Sequence, residues 1–273
     1  MSRATTLTSG IVPVLVMGLT WFGAASVSAE PYQVIDVTAG GTITGVATWK
    51  GDVPYLPLIE LGVDSTVCGE EGQSQALRVN SKNNGLQYVL VYLEHIEKGK
   101  APADKYRLQM TACQFKEHVF PFVRSQTMTM INLDPVLHNP HFFDAKKVSL
   151  LNIPMPVSGQ EINHKFLEIP GKNEKGVMRL QCDVHINMNA YWAGFVHPYF
   201  AVTDTDGKFE ITGVPAGTYT LVAWHEGYKI LREENGRPMY DRPHIRHQEI
   251  EVKPKETVKA NFEFPVRKVY MDE

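Results

Sequence analysis

The sequence predicts an all-β protein, and three observations carry that reading. Its 21 glycines and 17 prolines are spread along 273 residues instead of gathering in a linker, so they punctuate many short segments. The segments between them are runs rich in Val, Thr, Tyr and Phe, the side chains that fit a pleated, half-buried surface. Two of these runs, Thr127–Asn132 and Gly217–Trp224, alternate so that every second side chain faces a core, and no helical period is sustained beyond about three turns. A composition of 43% hydrophobic and 21% charged residues is enough for a packed core and argues against disorder.

From the N-terminus, residues 1–29 read as a secretory signal peptide. One early charge, Arg3, precedes the apolar stretch Ile11–Ala25, and Val27-Ser28-Ala29 supplies small residues ahead of a cut before Glu30-Pro31. The apolar stretch is about 15 residues, short of the roughly 18–20 that span a bilayer comfortably. No Cys follows the cut, so lipid attachment there is not expected. Removal leaves 244 residues with no membrane span, in the periplasm or beyond. Strands are then expected at Gly41–Trp49, Leu86–Leu93, Arg107–Met110, Thr127–Leu133, Val177–Cys182, Phe195–Thr203, Lys208–Ile211, Thr218–Trp224, Gln248–Lys253 and Val258–Phe264. The stretches Val53–Val63 and Tyr228–Arg237 have room for short helical turns. A boundary falls near His197-Pro198, because the chain beyond it has its own hairpin grammar in Asp204-Thr205-Asp206-Gly207 and Gly213-Val214-Pro215-Ala216-Gly217. The expected parts are therefore 30–197 and 198–273, with the opening run at 41–50 a candidate to pair with the second part.

The charge balance is even, 27 Lys+Arg against 30 Asp+Glu, and loss of Arg3 with the leader takes the net charge from −3 to −4. With no basic block, neither nucleic acid nor an acidic membrane surface is an expected partner. Cys68, Cys113 and Cys182 make an odd set in an oxidising space, enough for one disulfide and one spare thiol. Cys68 and Cys113 lack His or Met neighbours at ligand spacing apart from His118, whereas Cys182 has both, which favours a Cys68–Cys113 disulfide and a free Cys182.

Around that thiol the chain reads Leu180-Gln181-Cys182-Asp183-Val184-His185-Ile186-Asn187-Met188, a Cys-x-x-His-x-x-Met spacing on the turn after a strand. Upstream, a second strand ends in Asn132-Leu133-Asp134-Pro135-Val136-Leu137-His138-Asn139. A thiolate, two imidazoles and a thioether are the ligand set of a mononuclear electron-transfer copper: the sulfurs suit Cu(I), imidazole suits both oxidation states, and a stiff β-scaffold limits rearrangement between them. The competing reading pairs Cys182 with another cysteine and leaves His185 and Met188 as a loop histidine and a core methionine.

These residues resemble the cupredoxins over roughly 80–197, and the short ligand loop is most similar to that of the amicyanins. The resemblance implies a Greek-key sandwich, equatorial ligands His138, Cys182 and His185, an axial Met188, and Asn139 as the asparagine that braces the ligand loops by hydrogen bonding. It also implies that the imidazole edge of His185 is exposed for docking. The chain departs from the pattern at Leu137, where proline commonly precedes the first histidine, and at Val184. His141 remains a substitute ligand or a surface histidine. From Val202 to Glu226 the pattern Asp-x-x-Gly-x-Phe-x-Ile-x-x-Val-Pro-x-Gly-x-Tyr-x-Leu resembles the carboxypeptidase regulatory-like (transthyretin-like) β-sandwich. The combination is similar to exported proteins often labelled methylamine-utilisation proteins.

Other motifs read as structure. His244-Ile245-Arg246-His247 is flanked by Pro243 and a strand and is expected in a solvated loop, and Asp204-Thr205-Asp206-Gly207 lacks the later acidic ligands of a calcium loop. His225-Glu226 is expected as a loop feature, and Tyr191 and Trp192 as core. The sequence contains no Cys-x-x-Cys-His, nucleophile elbow, phosphate loop, paired-thiol motif or His-x-His pair, which argues against covalent haem, hydrolase and multicopper oxidase chemistry. The expected function is a non-enzymatic, exported copper protein that passes single electrons to and from a c-type cytochrome or a dehydrogenase. The alternatives are an envelope scaffold or binding module, and periplasmic copper storage or delivery.

Overall fold

Strands with one buried and one more open face, such as Val177–Cys182 and Lys208–Val214, stand beside strands buried on both faces in the computed structural model, which describes Met1 and residues 32–144, 146–166 and 176–265. The leader expected at 1–29 lies outside the described residues apart from Met1. No helix among the described residues is long and apolar enough to cross a membrane.

Four sheets carry the fold. A four-stranded sheet runs Glu161–His164, Thr127–Asn132, Lys105–Thr111, Gln114–Phe115, with the central pair parallel. A five-stranded sheet runs Ser149–Asn152, Pro140–Phe143, Val177–Cys182, Asn189–Phe195, Val119–Val123. Between these two lies a core of Leu108, Met110, Phe115, Phe122, Met130, Phe142, Leu180 and Trp192. A third sheet runs Phe200–Val202, Leu90–Leu93, Gly217–His225, His244–Val252, and a fourth sets Lys208–Val214 against Gly41–Lys50, which also pairs Thr257–Lys259 and Phe262–Pro265. Ile43, Leu86, Val91, Leu93, Tyr199, Leu221, Ile250 and Phe264 fill the core between them.

The third sheet is buried on both faces. In Leu90–Leu93 every residue is buried, with Val91 and Leu93 in the core shared with the fourth sheet and Leu90 and Tyr92 in a separate cluster with Val119, Ala193, Val222 and Trp224. Burial on both faces is why this stretch reads as a continuous apolar run without alternation. The strands Gly41–Lys50 and Leu90–Leu93 therefore pack with the C-terminal strands although they precede the expected cut at 197/198. The chain crosses between the two cores more than once, which a linear boundary does not capture.

Other local expectations are corrected. The stretch Tyr228–Arg237 holds no helical turn; Ile230–Glu234 and Arg237–Tyr240 form a hairpin around Asn235-Gly236, both at positive φ. Within Val53–Val63 there is a short strand, Leu58–Glu60, and the helical turn falls just beyond it at Ser65–Cys68. His244 opens the strand His244–Val252, so His244-Ile245-Arg246-His247 is strand and not loop. His225 ends the long strand Gly217–His225 and is 1% exposed, and Glu226 pairs with the buried His118, so that dipeptide belongs to the joint between the halves. Strands at Val119–Val123, Pro140–Phe143, Ser149–Asn152 and Glu161–His164 were not expected.

Gly45 shows how closely the fourth sheet is assembled. A Cβ there would lie 1.7 Å from the Ala260 carbonyl oxygen and 2.7 Å from the Phe209 ring. Gly45→Ala is expected to cost about 2 kcal/mol by overpacking, read as a lower urea midpoint; a loss below about 0.5 kcal/mol would show that the strands separate freely there.

Candidate metal centre

The strand Val177–Cys182 alternates so that Met178, Leu180 and Cys182 face the core, which delivers the sulfur to the sheet end 0% exposed. Next to it, Pro140 is registered opposite Cys182, and the chain entering that strand carries His138, whose backbone exchanges hydrogen bonds with Met155 in both directions. Asn132 secures the intervening loop: its side-chain N–H groups donate to the Val136 and Met155 carbonyls, and its Oδ1 accepts from the Asp134 N–H. After Cys182 the loop closes tightly, the Cys182 N–H donating to the Met188 carbonyl and the Met188 N–H to the His185 carbonyl.

Three donor atoms meet there. Ligand atoms of His138, Cys182 and His185 lie within 4.8 Å of one another, the two Nδ1 atoms 3.2 Å apart and His185 Nδ1 3.7 Å from the sulfur. Each imidazole turns its other nitrogen to a carboxylate: His138 Nε2 is 2.8 Å from Asp134 Oδ2, and His185 Nε2 is 3.1 Å from Asp64 Oδ2. Carboxylates accept, so the Nε2 atoms carry the hydrogens and both Nδ1 atoms present lone pairs toward the sulfur. Two facing lone pairs and a thiolate in a fully buried space are a donor set that a cation satisfies.

The electrostatics agree. Burial pushes the Cys182 thiol up, but the His138 and His185 rings facing the sulfur and the Asn139 N–H, at 3.2 Å from it, outweigh burial and lower the thiol to about 6. Burial likewise opposes charge on Asp134, and the Cys113 N–H, the His138 ring and the Ala112 N–H outweigh it, holding the carboxyl below its usual range. For His138, burial disfavours the proton while Cys182 and Asp134 favour it, and the pKa is raised.

Asp134 has a second task. Ala112 and Cys113 form the two-residue turn between Lys105–Thr111 and Gln114–Phe115, both in the left-handed region at φ 50° and 51°. Such a turn favours Asn-Gly, and here the Asp134 carboxylate supports Ala-Cys by accepting both N–H groups at 2.8 and 2.9 Å. Cys113 is disulfide-bonded to Cys68, and Cys182 is the free, buried cysteine among the described residues.

Met188 is 0% exposed in the same buried cluster as Cys182. Asn139 connects the two loops through its backbone, its N–H to the Cys182 sulfur and its carbonyl to the Asp183 N–H, while its buried Oδ1 has no hydrogen-bond partner among the described residues. His141 lies outside the cluster: Nδ1 is 2.8 Å from Asp183 Oδ2 and Nε2 is 2.7 Å from Ser149 Oγ. The exposed His185 edge is corrected. His185 is 0% exposed, because the turn at Asp64, tied down through Cys68, covers its Nε2.

Sequence reasoning missed three residues. Asp134 stands four positions before His138 and was within reach of a local search. Asp64 and Arg237 are far away in the chain. The buried Arg237 donates to the carbonyls of Cys182, His185 and Ile186, clamping the loop at 182–188 from the C-terminal part. Nothing local to either residue signals that role.

Comparison with known proteins adds the following. Residues 188–260 match the family model "Polysaccharide lyase family 4, domain II", over the stretch where the sequence resembles a carboxypeptidase regulatory-like sandwich. Among solved structures, the chain is similar to amicyanin from Paracoccus versutus, at 16% identity over 35% of this chain and 85% of that chain, TM-score 0.28. It is also similar to a purple cupredoxin from Nitrosopumilus maritimus, at 20% identity over 33% of this chain and 98% of that chain, TM-score 0.27. A copper-containing nitrite reductase from Thermus scotoductus matches at 16% identity over 35% of this chain and 23% of that chain, TM-score 0.27. No curated protein matches the chain.

Proposed function

We propose that the chain is an exported type 1 copper protein carrying single electrons between redox partners. The observation that carries this reading is the convergence of the Cys182 sulfur with Nδ1 of His138 and of His185, all buried, with a carboxylate on each opposite nitrogen. His138, Cys182 and His185 would hold the metal, with Met188 the fourth candidate. A bound copper would supply a Cu(II)/Cu(I) couple, and soft sulfur beside imidazole suits both states.

The protein's own residues do the positioning. Asp134 and Asp64 fix the ring tautomers, so the Nδ1 lone pairs need no reorientation when a cation enters or changes charge. The Asn139 N–H donates to the sulfur and draws off part of its charge. Arg237 holds the loop carbonyls still. The partner on this reading is another exported redox protein, a c-type cytochrome or a dehydrogenase, which would approach by a route other than the covered His185 edge. Copper storage or delivery is a second reading, favoured by that same burial, since no ligand edge is offered to a partner.

The visible and EPR spectra after Cu(II) addition test the proposal, beside a Cys182→Ala control. The expected result is an intense thiolate-to-copper band that the control lacks. A wild-type protein that stays colourless after oxidation, with no titratable thiol, overturns it. In-place oxidation and reduction without loss of metal favours the carrier, and labile exchange of Cu(I) favours storage.

A further inference from the structure

The disulfide borders the donor cluster. Cys68 Sγ, Cys113 Sγ and a ligand nitrogen of His185 lie within 4.8 Å of one another, so the two donor groups share His185 and put three cysteine sulfurs around it. Both halves of the disulfide are also connected to the histidines. Asp64, on His185, begins the helical turn that ends at Cys68. Asp134, on His138, accepts the Cys113 N–H, and the Asn187 side chain of the ligand loop donates to the Cys113 carbonyl at 2.8 Å. Cys68 is partly exposed and Cys113 is fully buried, so a reductant reaches the pair through Cys68.

We propose that Cys68 and Cys113, once reduced to thiols, form with His185 a second site for a soft monovalent metal cation, latent while the disulfide is closed. The opening step is thiol–disulfide exchange with a dithiol reductant. Its thiolate attacks Cys68, the Cys113 sulfur leaves and takes a proton, and the reductant's second thiolate releases Cys68 as its own disulfide forms. Two electrons and two protons pass to the protein. Binding of the cation then displaces protons from both thiols and changes no oxidation state. Two thiolates and an imidazole are soft ligands that select Cu(I) over the harder divalent ions. The site shares His185 with the first but does not use Cys182, so the Cys182→Ala protein tests it apart from the electron-carrier reading.

The test is an anaerobic competition titration with Cu(I) held by bathocuproine disulfonate. It compares the disulfide form with protein opened by dithiothreitol and freed of reductant by gel filtration. Each is run as wild type, Cys182→Ala and the double variant Cys68→Ser/Cys113→Ser, with circular dichroism to verify folding. Reduction is expected to add one equivalent of Cu(I) in wild type and in Cys182→Ala, and none in the double variant. Equal uptake by closed and opened Cys182→Ala protein overturns the second site. Loss of uptake only in closed Cys182→Ala counts for the first site and leaves the second intact. If the double variant does not fold, alkylating both thiols of the opened wild type with iodoacetamide at the exposed-first stage must abolish the added equivalent, and its persistence also overturns the proposal.

Discussion

Arg237→Met is expected to destabilise the protein by about 4 kcal/mol. Arg237 is 8% exposed, and its guanidinium donates to the Ile186 carbonyl at 3.0 Å, to the His185 carbonyl at 3.3 Å and to the Cys182 carbonyl. Methionine matches the stem but donates nothing, so three carbonyls of one tight loop lose a charged donor. Each such loss costs roughly 1–3 kcal/mol when the group stays buried, and part is recovered where water enters. Arg237→Lys recovers little, because a point charge on a flexible stem does not span carbonyls that a planar fork reaches together. Arg232→Met is the control: Arg232 pairs with Glu234 on the exposed side of the same hairpin, a solvent-screened contact whose loss is expected to leave the urea midpoint nearly unchanged. Urea unfolding of the three variants gives the comparison. A loss under about 1 kcal/mol for Arg237→Met would mean that the ligand loop holds its shape without the C-terminal part.

Acid is expected to weaken the fold steeply between pH 6.5 and 4, away from the candidate metal centre. Burial lowers His225 to about 4 against a weaker pull from Glu226, with His244 and His118 adding to the depression. His197 is also lowered to about 4 by burial, the Leu93 backbone opposing and His95 reinforcing. In that window the unfolded chain binds protons at both histidines and the native protein does not. The stabilisation is therefore fully present above the ordinary value of 6.5 and is lost as pH falls toward 4. Shifts of this size correspond to about 3 kcal/mol for each residue. His138, raised by Cys182 and Asp134, acts with the opposite sign, stabilising at low pH and losing that contribution as pH rises. Urea midpoints measured at half-unit steps, in wild type and in His197→Asn and His225→Asn, separate these contributions. Each variant is expected to flatten the slope below 6.5, and parallel curves would rule out both histidines as its source.

Legibility in the sequence followed the range of the interactions. Thr127–Asn132 and Gly217–Trp224 were readable as strands, but their alternation did not predict which side chains are buried: Met128–Asn132 and Leu221–His225 are buried on both faces, because a second layer covers the face that alternation assigned to solvent. The Ala112-Cys113 hairpin was not readable, since neither residue favours left-handed backbone and the carboxylate that supports it is Asp134, some twenty positions on. Pro140–Phe143 is a short strand whose pairing with Val177–Cys182 is a long-range choice, and Ser149–Asn152 is an edge strand on Pro140–Phe143. The Tyr228–Arg237 stretch was misread because its polar run lacks a period, and Asn235-Gly236 was not taken as a hairpin turn.

By itself the sequence determined the all-β class, favoured the Cys68–Cys113 pairing that the structure shows, and singled out His138, Cys182, His185 and Met188 as the residues to examine together. Residue type, spacing and cysteine parity are local or countable properties, and they survive without coordinates. Only the tertiary structure decided that His185 is covered by Asp64, that Arg237 reaches the loop at 182–188 and that Leu90–Leu93 packs with the C-terminal strands beside Gly41–Lys50, a run the sequence had offered as a candidate for that pairing. Those contacts join residues from about 50 to more than 160 positions apart, and which of many distant groups meets a given one depends on how whole sheets stack.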